Sequence, residues 1–393
     1  MRRALRGTVT AAMAVVLLAA CTPASPHREL PPTTAAPWSA RTPAPTPTVD
    51  PAVAAVGRMS TAEQAASVVM GHVGGTDPAA LRAFMASGPH GAPLGGFILM
   101  GANISDDAAQ VRAATAALTL DPALPPLIAI DQEGGVVSRL PWDGLPGGRA
   151  LQAEDAARTR EVFAQRAELV ADSGANVNFG IVADVPRGPS SFISARALGA
   201  DPEAASERVS AAVDGEQGIV LSTLKHFPGH GAAPGDSHHS IPTTSETRAQ
   251  WRVADAKPFI AGIDAGAELL MFGHLAYTDV DAAPASLSAR WHAIARDELG
   301  FRGVMITDDL GMLSSSGVAA YRDPVANAVS AIAAGNDMVL MVAGSTAETA
   351  AEMAAGLAAA VDAGALPAER LQDAAEHVMA LRMQLAEDSA AAG

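Results

Sequence analysis

Short, continuous apolar runs recur along the chain at 67–73, 96–101, 127–131, 177–183, 219–225, 269–275, 303–308 and 337–342. Runs that are apolar throughout, rather than alternating, predict strands buried on both faces. Ala-rich stretches with helical spacing lie between them, among them 105–119, 153–174, 202–217, 247–264, 288–299 and 346–362, and 365–388 reads as a closing helix. Ser288 is the expected N-cap of the helix that starts at 289. Strands alternating with helices imply a parallel sheet covered on both sides. Eight of them suit an α/β fold of the single (β/α)8 TIM type, assigned here to residues 51–388, better than an open doubly wound sheet. Neither a G-x-G-x-x-G after the first strand nor a P-loop is present.

The first fifty residues break this pattern. Arg2, Arg3 and Arg6 precede an apolar stretch from Val9 to Ala20, which reads as a signal peptide over 1–20. The run ends Leu17-Leu18-Ala19-Ala20-Cys21, similar to a bacterial lipobox, and it is short for a membrane span. Cys21 is the single cysteine of the chain, so an internal disulfide is impossible and acylation of this thiol is the expectation. Residues 21–50 are rich in Pro, Thr, Ala and Ser and predict a disordered tether. The expectation is an exported lipoprotein held at the extracytoplasmic face of the cell membrane, its folded domain a monomer.

Composition narrows the function. A net charge of −16 argues against nucleic acid and against broad attraction to anionic surfaces. Half the residues are hydrophobic but only 4% are aromatic, which predicts a core built largely of Ala, Val, Leu, Ile and Met.

Chemistry concentrates in one segment, Lys225-His226-Phe227-Pro228-Gly229-His230-Gly231, followed by Asp236-Ser237-His238. Four of ten histidines and one of two lysines fall between 225 and 239. Where arginine is otherwise the basic residue, a retained lysine points to a compact ammonium that donates to several oxygens. In a barrel, ionisable residues at the C-terminal ends of strands line the site. Asp131, Lys225-His226, His274 and Asp308-Asp309 fall at four such ends. A carboxylate leaving a buried strand, as Asp308 does, needs partners or a task. It could attack an anomeric carbon, or it could serve a structural ion pair, with Asp309 capping a helix. Asp236, two residues before His238, could orient that imidazole as a general acid and base; a solvated loop pair is the alternative. His226, His230, His238 and Asp236 could also ligate zinc, although no H-x-x-x-H pair on one helix accompanies them.

The K-H-F-P-G-H-G block with its D-S-H resembles glycoside hydrolase family 3, and within it the bacterial exo-acting β-N-acetylglucosaminidases. Ile130-Asp131-Gln132-Glu133-Gly134-Gly135 with Arg139, Phe301-Arg302-Gly303-Val304 leading to Thr307-Asp308-Asp309, and Ala334-Gly335-Asn336-Asp337-Met338 resemble further motifs of that family, and the likeness covers about 52–385. The resemblance implies Asp308 as nucleophile, His238 as acid/base and Asp236 as its dyad partner. It implies that Asp131, Arg139, Lys225 and His226 bind sugar hydroxyls and that Arg196 meets the N-acetyl group, although Arg196-Ala197-Leu198-Gly199 stands where the family has Arg-Ser-Phe-Gly. His274 either lines the pocket or is structural; Glu133 and Asp309 organise loops; Asp337 is structural. The implied substrate is a carbohydrate ending in β-linked GlcNAc, such as a peptidoglycan fragment, with no metal or organic cofactor. A phosphorylase or β-glucosidase of the same family, a metal-dependent hydrolase and a non-catalytic glycan-binding lipoprotein are the competing readings.

Overall fold

The computed structural model describes residues 50–237 and 240–392, so the signal peptide, Cys21, the tether and His238 lie outside the described residues. Eight strands close a barrel: β1 Val69–Gly71, β2 Gly96–Leu99, β3 Leu127–Ile130, β4 Val177–Val182, β5 Leu221–Phe227, β7 Leu269–Phe272, β9 Val304–Asp309 and β10 Met338–Leu340. All neighbouring pairs are parallel, in the order β1-β10-β9-β7-β5-β4-β3-β2. Each falls on one of the eight apolar runs, because a strand buried on both faces tolerates few polar residues. Two further strands, β6 Thr243–Thr244 and β8 Ala276–Tyr277, pair outside the barrel.

The helices follow the periodicity with two informative departures. The 247–264 stretch is two helices, Arg248–Val253 and Ala256–Asp264. The break at Ala254 lets buried Trp251 donate its indole N–H to the Pro228 carbonyl at 2.8 Å, and Asp255 reach Arg187 at 2.5 Å. The 288–299 stretch starts as predicted, with Ser288 accepting from the Trp291 N–H, but ends in a π-turn over Ile294–Glu298. That turn carries Arg296 to the Gly303 carbonyl and to Asp337.

The ladders are not uniform. Between β2 and β3 four consecutive residues stay in register, Gly96 with Leu127 through to Leu99 with Ile130. Between β5 and β7, Leu224 pairs with Leu270 but Phe227 with Phe272, so β5 carries one extra residue around Lys225 and His226. β9 carries one against β10, between Ile306 and Asp309, and β4 carries one against β5, between Asn178 and Ile181. Successive residues of a regular strand point to opposite faces; an added residue re-aims them. Lys225 and His226, and likewise Asp308 and Asp309, can therefore all line one cavity. Both pairs sit at the C-terminal ends of their strands, as expected, with β5 running on to Phe227 and β9 to Asp309.

The core is likewise in two parts. One part, around β1 to β3 and β10, is mainly Ala, Val, Leu, Ile and Met. The other, beneath β5 and β7, holds Phe163, Phe227, Trp251, Phe259, Phe272, Tyr277 and Trp291. The core is thus largely Ala, Val, Leu, Ile and Met, as expected, with most of the few aromatics gathered in the second part.

Candidate active site

A cavity of about 240 Å³ opens at the C-terminal ends of the barrel strands. Its polar wall is made by Asp131, Arg139, Arg196, Lys225, His226, His230, Ser237, Asp308 and Asp309, so eight of the residues singled out from sequence, all but Ser237, meet there. A larger cavity of about 410 Å³, half of whose lining residues are Met and Leu, includes Pro93 and Pro126, which precede β2 and β3, and so lies at the other end of the barrel.

The charges form a ladder. Lys225 is 2% exposed and its ammonium donates to Asp131 Oδ1 at 2.8 Å while standing 2.7 Å from Glu133 Oε1. Arg196 holds Glu133 in a two-point contact, Nε to Oε2 at 2.9 Å and Nη2 to Oε1 at 2.6 Å. Arg139 closes the series on Asp131 Oδ2 at 3.2 Å. The expectation of a compact ammonium donating to several oxygens holds here, since the one ammonium of Lys225 serves two carboxylates. Burial would raise the Asp131 pKa, but Lys225 and Arg139 outweigh it and bring it down to about 2. Burial is likewise overcome at Glu133 by Lys225 and Arg196, and at Lys225 by Asp131 and Glu133, so all three stay charged.

Asp308 is half-buried, accepts the Asp309 N–H at 2.8 Å and faces the cavity. Burial pushes its pKa up; the positive surroundings, Lys225 among them, and the Asp309 N–H bring it below the usual value. It is an ionised carboxylate in a confined space. Asp309 plays a different part: it accepts from the N–H groups of Gly311 at 2.8 Å, Val342 at 2.7 Å and Ala343 at 3.0 Å, which caps the helix Leu310–Ser315 and ties β9 to β10. His274 is buried between the Ser286 hydroxyl at 2.7 Å and the Asp309 carbonyl at 2.8 Å, a supporting position. Asp337 is wholly buried among Arg296, Arg370 and His377.

The histidine segment is held by its glycines. At Gly229 (φ 133°) a Cβ would stand 2.9 Å from the Asp255 Cβ, and at Gly231 it would stand 2.0 Å from the Val185 carbonyl oxygen. The loop is thereby pressed against the exit of β4. Its far end divides two spaces: Ser237 lines the charged cavity, whereas Asp236 lines an adjoining one with Arg187 and Ala233. Position 238 lies outside the described residues, so the Asp236–His238 pair has no described geometry. Of the zinc candidates, His226 is committed elsewhere: Nδ1 lies 2.7 Å from Asp184, and Nε2 faces the Arg196 guanidinium at 3.4 Å.

Asp184 is the site residue that sequence reading missed. It follows β4 by two residues and is wholly buried beneath the histidine segment. The signal was available, because Asp184 stands after the apolar run 177–183 as Asp131 stands after 127–130.

The closed parallel barrel thus carries at its C-terminal mouth a cavity walled by fixed cations and the Asp308 carboxylate. Residues 90–381 match the model of the glycosyl hydrolase family 3 N terminal domain. The chain belongs to glycosyl hydrolase family 3. It is 39% identical over 219 residues to a beta-hexosaminidase of Stenotrophomonas maltophilia, covering 52% of this chain and 64% of that protein. A beta-hexosaminidase of Xylella fastidiosa is 36% identical over 260 residues, covering 63% and 76%. The crystal structure of a beta-N-acetylhexosaminidase from Beutenbergia cavernae superposes with a TM-score of 0.72 at 31% identity, covering 82% of this chain and 98% of that one.

Proposed function

We propose that the cavity is the terminal-sugar subsite of a retaining exo-β-N-acetylhexosaminidase, with Asp308 as nucleophile and His238, oriented by Asp236, as acid and base. The observation that carries this reading is that Asp308 faces one confined cavity together with Asp131, Arg139, Lys225 and Arg196. In the first step an Asp308 oxygen bonds to the anomeric carbon, the bond to the leaving oxygen breaks, and His238 gives that oxygen its proton. In the second, His238 takes a proton from water as the water oxygen displaces Asp308, so two inversions leave the configuration retained. A cavity of about 240 Å³ lies below the roughly 300–1,000 Å³ of sites for larger ligands and favours one ring at a chain end. Asp131, Arg139, Lys225 and His226 bind its hydroxyls. Arg196 uses Nε and Nη2 on Glu133 and keeps Nη1, which bonds to no described residue, for the acetamido carbonyl.

The test compares aryl β-GlcNAc with aryl β-glucoside, with and without phosphate. Turnover of the first alone, indifferent to phosphate, is expected; acceleration by phosphate would make the enzyme a phosphorylase. Asp308→Ala should abolish turnover. His238→Ala should accumulate glycosyl-enzyme from substrates with good leaving groups, with rates down roughly 10²–10⁴-fold. Mass mapping of a fluorosugar label to Asp309, Glu133 or Asp131 in place of Asp308 would refute the nucleophile.

Cys21 is the proposed point of acylation, holding the enzyme at the extracytoplasmic face of the membrane where cell-wall glycan lies. Cys21→Ala should move it to the soluble fraction with unchanged specific activity, and membrane retention would sink the anchor.

A further inference from the structure

We propose that Asp184 is a positioning residue that locks His226 in its Nδ1–H tautomer, so that Nε2 meets the substrate as a hydrogen-bond acceptor and the sugar hydroxyl beside it must donate. The proposal rests on reading the cavity as the sugar subsite.

Both sides of the ring specify this state. Asp184 accepts from the His230 backbone N–H at 2.5 Å and from the His226 backbone N–H at 3.3 Å to each oxygen, and it sits 2.7 Å from His226 Nδ1. A carboxylate collecting donors is an acceptor, so Nδ1 carries the proton. On the other side the Arg196 Nη2 lies 3.4 Å from Nε2, and a guanidinium has only donors. A proton on Nε2 would set donor against donor there, whereas a lone pair faces a donor from which it can accept. Arg196 cannot turn away freely, because Glu133 grips it at two points. Burial and the Arg196 charge, joined by Lys225 and His230 and opposed by Asp308, lower the His226 pKa well below its usual value, so the doubly protonated ring is disfavoured as well. The cavity therefore presents donors from Lys225, Arg139 and Arg196 and one fixed neutral acceptor from His226, which can tell a hydroxyl from an ether or a fluorine at a single position.

In Asp184→Asn the amide has one acceptor and one donor group. The backbone N–H groups of His226 and His230 claim the oxygen, which leaves the NH2 facing Nδ1 and drives the ring proton to Nε2. Two-bond 15N–1H spectra of histidine-labelled enzyme, with His226 assigned by its loss in His226→Gln, read the tautomer directly. The wild type should show a pyrrole-type Nδ1 and a pyridine-type Nε2, reversed in Asp184→Asn. kcat/KM for aryl β-GlcNAc should fall about 10- to 100-fold, mostly through KM, as expected for a lost ground-state contact. In a His226→Gln background, where no tautomer exists, Asp184→Asn should cost little more. An Nε2–H tautomer in the wild type, which needs no variant to fold, would overturn the proposal, as would an equal cost of Asp184→Asn in both backgrounds. Failure of the glycosidase reading would appear separately, as no turnover of aryl β-GlcNAc by the wild type, while the spectra would still report the tautomer.

Discussion

The two halves of the barrel solve different problems. Around β2 and β3 the ladder is regular and the core is mainly aliphatic; around β5 and β7 the ladder carries an added residue and the core is aromatic. The regular half needs only volume, which Leu, Val, Ala and Met fill in many combinations. The other half must support a strand end that turns both Lys225 and His226 into the cavity. Phe227, the next residue, is held by edge contacts from Trp251, Phe259 and Trp291 at 5.3–6.1 Å. The same aromatics reach the loop through polar tips: Trp251 Nε1 donates to the Pro228 carbonyl and the Tyr277 hydroxyl to the Gly229 carbonyl, each at 2.8 Å. Packing and placement are one task there, and two separate tasks in the regular half.

Trp251→Ala strikes both tasks. It should cost about 3–5 kcal/mol of stability, the usual range for a buried aromatic, and should lower kcat/KM below the melting transition as the histidine segment loosens. Leu357→Ala, buried in the aliphatic half, should cost about 2–5 kcal/mol yet leave kcat/KM intact at a temperature where the variant is folded. Equal losses of activity at equal losses of stability would erase the distinction, and paired denaturation and kinetics decide it.

Glu216, at the end of the helix Pro202–Glu216, is wholly buried and bonded to Asn178 on β4 at 2.6 Å. Burial raises its pKa to about 8. In the unfolded chain it ionises near the ordinary value, roughly 4.3. Between those values the folded state holds a proton that the unfolded state has released, so stability falls as pH rises and levels off above about 8. Glu216→Gln should remove this slope, gaining on the wild type by about 1–3 kcal/mol across that window. Midpoints of denaturation for both proteins from pH 4 to 9 test it; parallel curves would mean the carboxyl is not held neutral.

The smallest effect should come from Tyr277→Phe, which deletes one hydroxyl. About 1 kcal/mol of stability is at stake, with a several-fold loss in kcat/KM because the Gly229 carbonyl loses its donor. Unchanged kinetics would show that the aromatic half supports the segment by bulk alone.

The same contrast explains what could be read from the sequence. All eight strands were legible, since burial on both faces writes itself as unbroken apolar runs. So were Asp131, Lys225, His226 and Asp308, because each is an ionisable residue at the end of such a run. The added residues in β4, β5 and β9 were not, for a ladder's register depends on a partner strand far along the chain. The break at Ala254 was hidden too, because helical spacing runs across it and only Trp251 and Asp255 show why the chain turns. Asp184 was missed although its position fits the rule, since its partners His226 and His230 lie 42 and 46 residues away.

The alternating ladder from Arg139 through Asp131, Lys225 and Glu133 to Arg196 has a consequence for the solution in which the enzyme works. Its three cations and two carboxylates leave one net positive charge, and each is paired over 2.6–3.2 Å, inside a Debye length of about 8 Å in physiological salt. An uncharged ligand gains no long-range attraction from that single charge, so dissolved ions have little to screen. On the proposed function, binding of the terminal sugar should change little between dilute and concentrated salt, although the chain as a whole carries a net charge of −16.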